Sequence, residues 1–173
     1  VSGASAFATP LGIVEVDDPP RRLVLELPQV RVDDDAHARE HSLEVHLPFL
    51  QRVLARFRIL PLVVGHAARD AVSDVLDLVW GGPETLIVVS SDLSHYHDYE
   101  TATARDRRTA QAIVAGALEK IGPEDACGAY PVKGLLEAAR CHRLTVRLLD
   151  LRNSGDTAGP RDEVVGYGAF ALG

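Results

Sequence analysis

Thr85–His97 reads TLIVVSSDLSHYH, a continuous apolar run followed at once by eight positions carrying three serines, one carboxylate and two imidazoles. The first half decides the fold. An unbroken apolar run this short, preceded by the breaker Gly81-Gly82-Pro83, reads as a strand buried on both faces. Such strands belong to sheets covered by helices, so the run predicts an α/β domain. The second half sets the question of function. In α/β sheets ligands lie beyond the carboxyl ends of strands, where loops converge, and SSDLSHYH stands at such an end.

Working outward, Leu43, Leu47, Leu50, Leu54 and Phe57 recur at spacings of four and three from about His41 onward, the pattern of an amphipathic helix. Val72, Val75, Leu76 and Val79 repeat it across Arg69 to Trp80. Further helices are expected from about Tyr99 to Leu118 and from Pro131 through Arg140. Strands are expected at GIVEV (12–16), RRLVLELP (21–28), RILPLVVG (58–65), LTVRLLDL (144–151) and VVGYGAFAL (164–172). Pro61 argues for an irregular or edge position in the third of these, and QVRVDDDAHARE (29–40) reads as loop. The alternation predicts a central, mainly parallel or mixed sheet with helices on both faces.

With 173 residues, 46% hydrophobic and 25% charged, the chain is long enough for its own core and reads as a single domain over 1–173. The formal net charge of -7 repels phosphate backbones, so no nucleic-acid partner is expected. No apolar run approaches the roughly 20 residues of a membrane-spanning helix, and there is no signal-peptide pattern. Cys127 and Cys141 are the two cysteines, too few for a disulfide framework, which points to a reducing cytoplasm. The chain begins with Val1 rather than methionine, the expected appearance of an N-terminally truncated chain.

Three groups of residues carry chemistry. In SSDLSHYH, Asp92 or Ser94 could cap the next helix, but that leaves His95 unexplained, because an imidazole is a poor cap and its proton chemistry suits an acid/base role at neutral pH. In REHSLEVHLPF, His46 falls beside the apolar stripe and reads as a satisfied, partly buried histidine. His41 lies away from that stripe, and its functional and structural readings stay open. The order is not His-Glu-x-x-His, so the zinc-protease motif is absent. In PEDACGAYPVKGLL, Cys127 precedes Gly128 and a helix, where a thiol's pKa can be lowered toward a nucleophile or soft metal ligand. Packing remains the competing reading for Cys127 and the expected one for Cys141.

TPLG (Thr9–Gly12), EHSLEVHLPFL (Glu40–Leu50), ILPLVVG (Ile59–Gly65), VVSSDLSHYHDY (Val88–Tyr99), ACGAYPVKGLL (Ala126–Leu136) and SGDTAGPRDEVVGYGAFAL (Ser154–Leu172) together resemble the Memo family. Its prokaryotic members are called AmmeMemoRadiSam system protein B. The family is similar in fold to the LigB-type class III extradiol ring-cleavage dioxygenases. The resemblance implies His95 as catalytic acid/base, Asp92 as the acidic residue beside it, and His41 at the pocket rim. It also implies Cys127 as one ligand of an iron(II) or copper site completed by two histidines. In the family those histidines precede the TPLG segment. The resemblance therefore places both upstream of Val1, together with the first strands, and this chain is expected to hold little or no metal by itself. AMMECR-like and radical SAM proteins are implied as partners by family association.

Three functions follow as expectations. The first is a metal-dependent redox enzyme with His95 moving a proton. The second is a non-enzymatic module that binds a small molecule or peptide in the same pocket. The third, a Ser90 or Ser91 hydrolase with His95 and Asp92, ranks last because no Gly-x-Ser-x-Gly elbow is present.

Overall fold

Six helices and two small sheets form in the computed structural model, which describes all residues Val1–Gly173. The chain gathers into two compact units, one made of Val1–Gly65 with Leu78–Gly81 and the other of His66–Asp77 with Gly82–Gly173. The expected α/β class holds. Its ladders are antiparallel, and parallel pairing is confined to a bridge between Val16 and Ile59.

In the first unit, strands β1 (Ala6–Thr9) and β2 (Gly12–Glu15) make a hairpin. Its turn is tied down by the Thr9 hydroxyl, which takes the Leu11 N–H at 3.0 Å and bonds Gln51 Oε1 at 2.6 Å. Helix α1 (Asp18–Val24) overturns the strand expected across Arg21–Pro28. Pro19 and Pro20 preset the backbone angle of a first helical turn, and Asp18 then pairs with both Arg21 and Arg22 one turn on. Local chemistry here outweighs the apolar composition of Leu23–Leu27. Helix α2 (Asp34–Ala38) falls in the stretch read as loop and is capped by Asp33, which accepts the Ala36 N–H at 3.0 Å. Helix α3 (Ser42–Val53) is where the periodicity puts it, with Leu47 buried. Beyond Ile59, the expected strand at 58–65 joins no ladder, in keeping with a proline that has no N–H to donate.

In the second unit, strands β3 (His95–His97), β5 (Val164–Leu172) and β4 (Val146–Asn153) lie in that order. Helix α5 (Tyr99–Val114) covers one face of β4 and β5. Helices α4 (Arg69–Leu78) and α6 (Ala129–Cys141) complete the unit. The core joins Leu93, Ile113, Leu118, Ile121, Ala129 and Leu136, with Phe170 and Leu151 packed against it. The apolar run at 85–90 forms no ladder, contrary to expectation; its Leu86 and Val88 are exposed. Hydrophobicity marks a segment that can be a strand, but a strand also needs a neighbour to supply the other half of its hydrogen bonds.

Two contacts in this unit are sensitive to small changes. The connection between β4 and β5 clamps the start of α5: the Tyr99 hydroxyl donates to Asp156 at 2.6 Å, and the Arg161 guanidinium lies 4.5 Å over the Tyr99 ring. The Tyr99 bond, aided by the Asn153 amide, holds the Asp156 carboxyl below its usual range. A carboxyl depressed on folding contributes stability above its unfolded pKa and loses it as pH falls through the folded value. Urea denaturation between about pH 5 and pH 2 should therefore show a loss that is shallower in Tyr99→Phe; identical slopes would remove this contact from the acid response. Elsewhere, Gly134 of α6 faces α4 so closely that an added Cβ would stand 2.3 Å from Val72 Cγ1. Gly134→Ala is expected to lower unfolding free energy by about 1–3 kcal/mol, and Val72→Ala in the same chain should restore part of it, as a denaturant double-mutant cycle would show.

Candidate functional site

Leu93 and Ser94 anchor the polar cluster. Leu93 N–H donates to Gly166 O at 2.8 Å, Gly166 N–H returns a bond to Ser94 O at 2.8 Å, and His95 stands opposite Val165. With Leu93 and Ser94 buried against β5, the flanking side chains are directed outward. A bulge follows, in which Tyr96 adopts a left-handed backbone with φ of 58° and the chain turns into α5. The cap of α5 is Asp98, which accepts the Thr101 N–H at 3.0 Å. That overturns the capping reading of Asp92 and Ser94 and leaves Asp92 free for other work.

His95 Nε2 lies 3.6 Å from Asp92 Oδ2, and their side chains are 33% and 48% exposed. Behind Asp92, its backbone N–H donates to Cys127 Sγ at 3.1 Å, while the Cys127 N–H donates to Asp92 O at 3.2 Å. Ser91 locks this clasp: its hydroxyl donates to Asp92 O at 2.7 Å and accepts the Gly128 N–H at 2.9 Å. The approach is close enough that a Cβ on Gly128 would sit 2.7 Å from Ser90 O and 2.8 Å from Ser91 Cβ. Residues far apart in sequence thus meet at Asp92, with the imidazole on its carboxylate and the thiol on its amide. Cys127 is exposed. Cys141, expected to pack, is exposed too, because the last turn of α6 presents it to solvent.

His41 is placed differently. It stands in the first unit at the start of α3, 78% exposed, with Nδ1 at 2.7 Å from Glu44 Oε1. Its neighbour Glu40 accepts the Ser42 and His41 amides at 2.9 Å each, and these bonds, Ser42's above all, hold the Glu40 carboxyl below its usual range. His46 is satisfied by Ser42 O at 2.7 Å and is partly buried, in line with its reading. The hydrolase arrangement lacks its first contact: the Ser91 proton is committed to a backbone carbonyl rather than to His95. No group of three or more His, Cys, Asp or Glu side chains is disposed to hold a metal ion. Cys127 is the one donor that the resemblance assigns to this chain, whose residues do not by themselves make up an iron or copper site. Two clefts of the second unit, about 270 Å³ beside Arg152 and Tyr167 and about 240 Å³ beside Arg69 and Tyr130, are lined by none of Asp92, His95 or Cys127.

The family model described as Memo-like protein matches residues 1–171. The chain belongs to the Memo-like family. It is 37% identical to a MEMO1 family protein of Aquifex aeolicus over 96% of its own length and 67% of that protein. It is 39% identical to one of Aeropyrum pernix over 96% of its length and 64% of that protein, and 38% identical to one of Methanosarcina barkeri over 96% and 67%. The chain thus spans about two thirds of the length of these Memo-like relatives. No helix is long and apolar enough to cross a membrane.

Sequence reasoning missed Asp106; it singled out Ser91 as a hydrolase nucleophile and Gly128 as the neighbour of Cys127, and the structure places both in the clasp instead. Asp106 was legible in principle. It falls in helical step with Ala102, Thr109, Ala110 and Ile113, all buried, so a charged residue sits on the face of α5 that meets the sheet. Asp92→Asn should leave stability within about 0.5 kcal/mol, as expected of an exposed site, while shifting the His95 imidazole resonances in a ¹H–¹³C correlation spectrum. Unmoved resonances would show that the pair does not form in solution.

Proposed function

We propose that this Memo-like protein acts by proton transfer at His95, oriented by Asp92, beside the Cys127 thiol. The observation that supports the reading best is the 3.6 Å approach of His95 Nε2 to Asp92 Oδ2 with both side chains open to solvent. An exposed ion pair contributes at most about 1 kcal/mol to folding, so stability is a poor reason for this one. As a catalytic pair it is coherent: a carboxylate facing Nε2 favours the tautomer with its proton there and leaves the Nδ1 lone pair to accept a proton from a bound molecule. The carboxylate then steadies the imidazolium that forms. Distances between such groups are commonly long before a substrate binds and tighten afterwards.

The finer reading, an iron(II)- or copper-dependent oxidoreductase related to the extradiol dioxygenases, rests on the family resemblance, with Cys127 as a donor and His41 at the pocket rim. The acid/base assignment stands apart from the metal, and no proton step is routed through one. Small-molecule or peptide ligands, AMMECR-like and radical SAM partners and a cytoplasmic location belong to the same proposal. One observation favours the binding-module reading: the Asp92, His95 and Cys127 side chains are all open to solvent, where a peptide could cover them.

The two readings separate on one comparison. In a protein extended to the full length of the relatives, with iron(II) or copper(II) supplied and a catechol as substrate probe, oxygen uptake should fall at least about a hundredfold in His95→Ala, the usual scale of general acid/base catalysis. Retained metal, measured after gel filtration, should be equal in the two proteins. Uptake unaffected by His95→Ala overturns the acid/base role. Binding of a peptide library to wild type, lost in Asp92→Asn and without any oxygen uptake, decides for the module.

A further inference from the structure

Asp106 is 2% exposed, on the face of α5 that meets the sheet. Its Oδ1 accepts the Ser94 N–H at 3.0 Å, wholly inside the protein. Its Oδ2 has no partner, and neither does the buried Ser94 hydroxyl. A buried carboxylate with half its bonding capacity unused is costly, and an apolar residue would serve packing better. The fold nevertheless makes room for it: a Cβ on Gly166 would stand 2.0 Å from Asp106 Oδ2, so the carboxylate fills the space that glycine leaves open. Gly166 is also the residue that bonds Leu93 and Ser94 in both directions. Ser94, between Asp92 and His95, is therefore held at both its N–H, by Asp106, and its C=O, by Gly166.

We infer that Asp106 is a positioning residue for the candidate site: by fixing the Ser94 amide it sets where Asp92 and His95 stand relative to each other and to Cys127. The inference rests on the reading of Asp92 and His95 as the acid/base pair, but the geometry it claims is measured without turnover. Asp106→Asn keeps an acceptor oxygen for Ser94 and discards the charge. Asp106→Glu keeps the charge and moves the acceptor by a methylene. Asp106→Ala removes both.

The rate of alkylation of Cys127 by iodoacetamide reports the site, because Sγ accepts the Asp92 N–H at 3.1 Å and so senses any displacement of the segment that Asp106 holds. Cys141, exposed at the far end of α6, is the internal control for general loosening. Asp106→Ala and Asp106→Glu should change the Cys127 rate at least about threefold, the scale of one lost hydrogen bond, with Cys141 unchanged and the His95 imidazole resonances displaced. Asp106→Asn should match wild type on all three readouts. Equal change at both cysteines, or Asn behaving as Ala while Glu behaves as wild type, would overturn the inference. If Asp106→Ala does not fold, the Asn and Glu variants decide it alone. Failure of His95→Ala to affect activity would sink the proposed function while leaving these geometric results intact.

Discussion

Asp92 and Cys127 exchange hydrogen bonds, N–H to Sγ in one direction and N–H to O in the other, and the candidate site depends on that exchange. The clasp requires the start of α6 to come within touching distance of the 90–92 segment. Glycine at 128 permits it, since any side chain there would meet the Ser90 carbonyl and the Ser91 side chain. The Ser91 hydroxyl then bonds both strands of the clasp. A thiol, an imidazole and a carboxylate are brought together by backbone geometry, and none of the three has to be buried to stay there.

The second unit answers two demands with one helix. Helix α5 must bury an apolar face on β4 and β5, for which Ala102, Ala110 and Ile113 suffice. The small alanines bring the helix close to the sheet, and that closeness lets a side chain as short as Asp106 reach the Ser94 amide from the helix backbone. A leucine-rich face would have stood farther off. Buried polarity at this position is bought at some expense of stability, as is common where geometry matters more than stability.

How much of this could be read from the sequence depends on whether the signal was local or needed a partner. Helices α3, α4, α5 and α6 repeat their apolar residues at helical spacing, which is a property of the segment alone. Strands β4 and β5 were legible because they are long and pair with each other. The run at 85–90 and the stretch at 58–65 have the same composition as good strands and form none, since pairing is a property of two segments and composition describes only one. Arg21–Pro28 failed for the opposite reason: Pro19-Pro20 and Asp18 form a helix start whose chemistry lies just upstream of the residues that looked like a strand. At the site, His95, Asp92 and Cys127 stood out because their functional groups are unusual where they occur. Ser91 and Gly128 act through contacts with each other and with Asp92; a glycine beside a cysteine hints at a close approach, but the residue type does not say to what.

The division of labour that results bears on what kind of site this is. Groups inferred to define position (Ser94, Asp106, Gly166) are buried or tightly packed, whereas groups proposed to carry chemistry (Asp92, His95, Cys127) are open to solvent. A cluster evolved for stability would be arranged the other way, with its charges paired inside or its polar groups left loose outside. Rigid backbone beneath reactive side chains is the arrangement that catalysis needs, because a proton is transferred efficiently only between groups already held near their final geometry. The same arrangement also suits recognition of a ligand by a few fixed polar contacts. What favours proton transfer over mere recognition is the choice of histidine next to a carboxylate: a serine or an asparagine at position 95 would bind as well, but neither can exchange its proton near neutral pH.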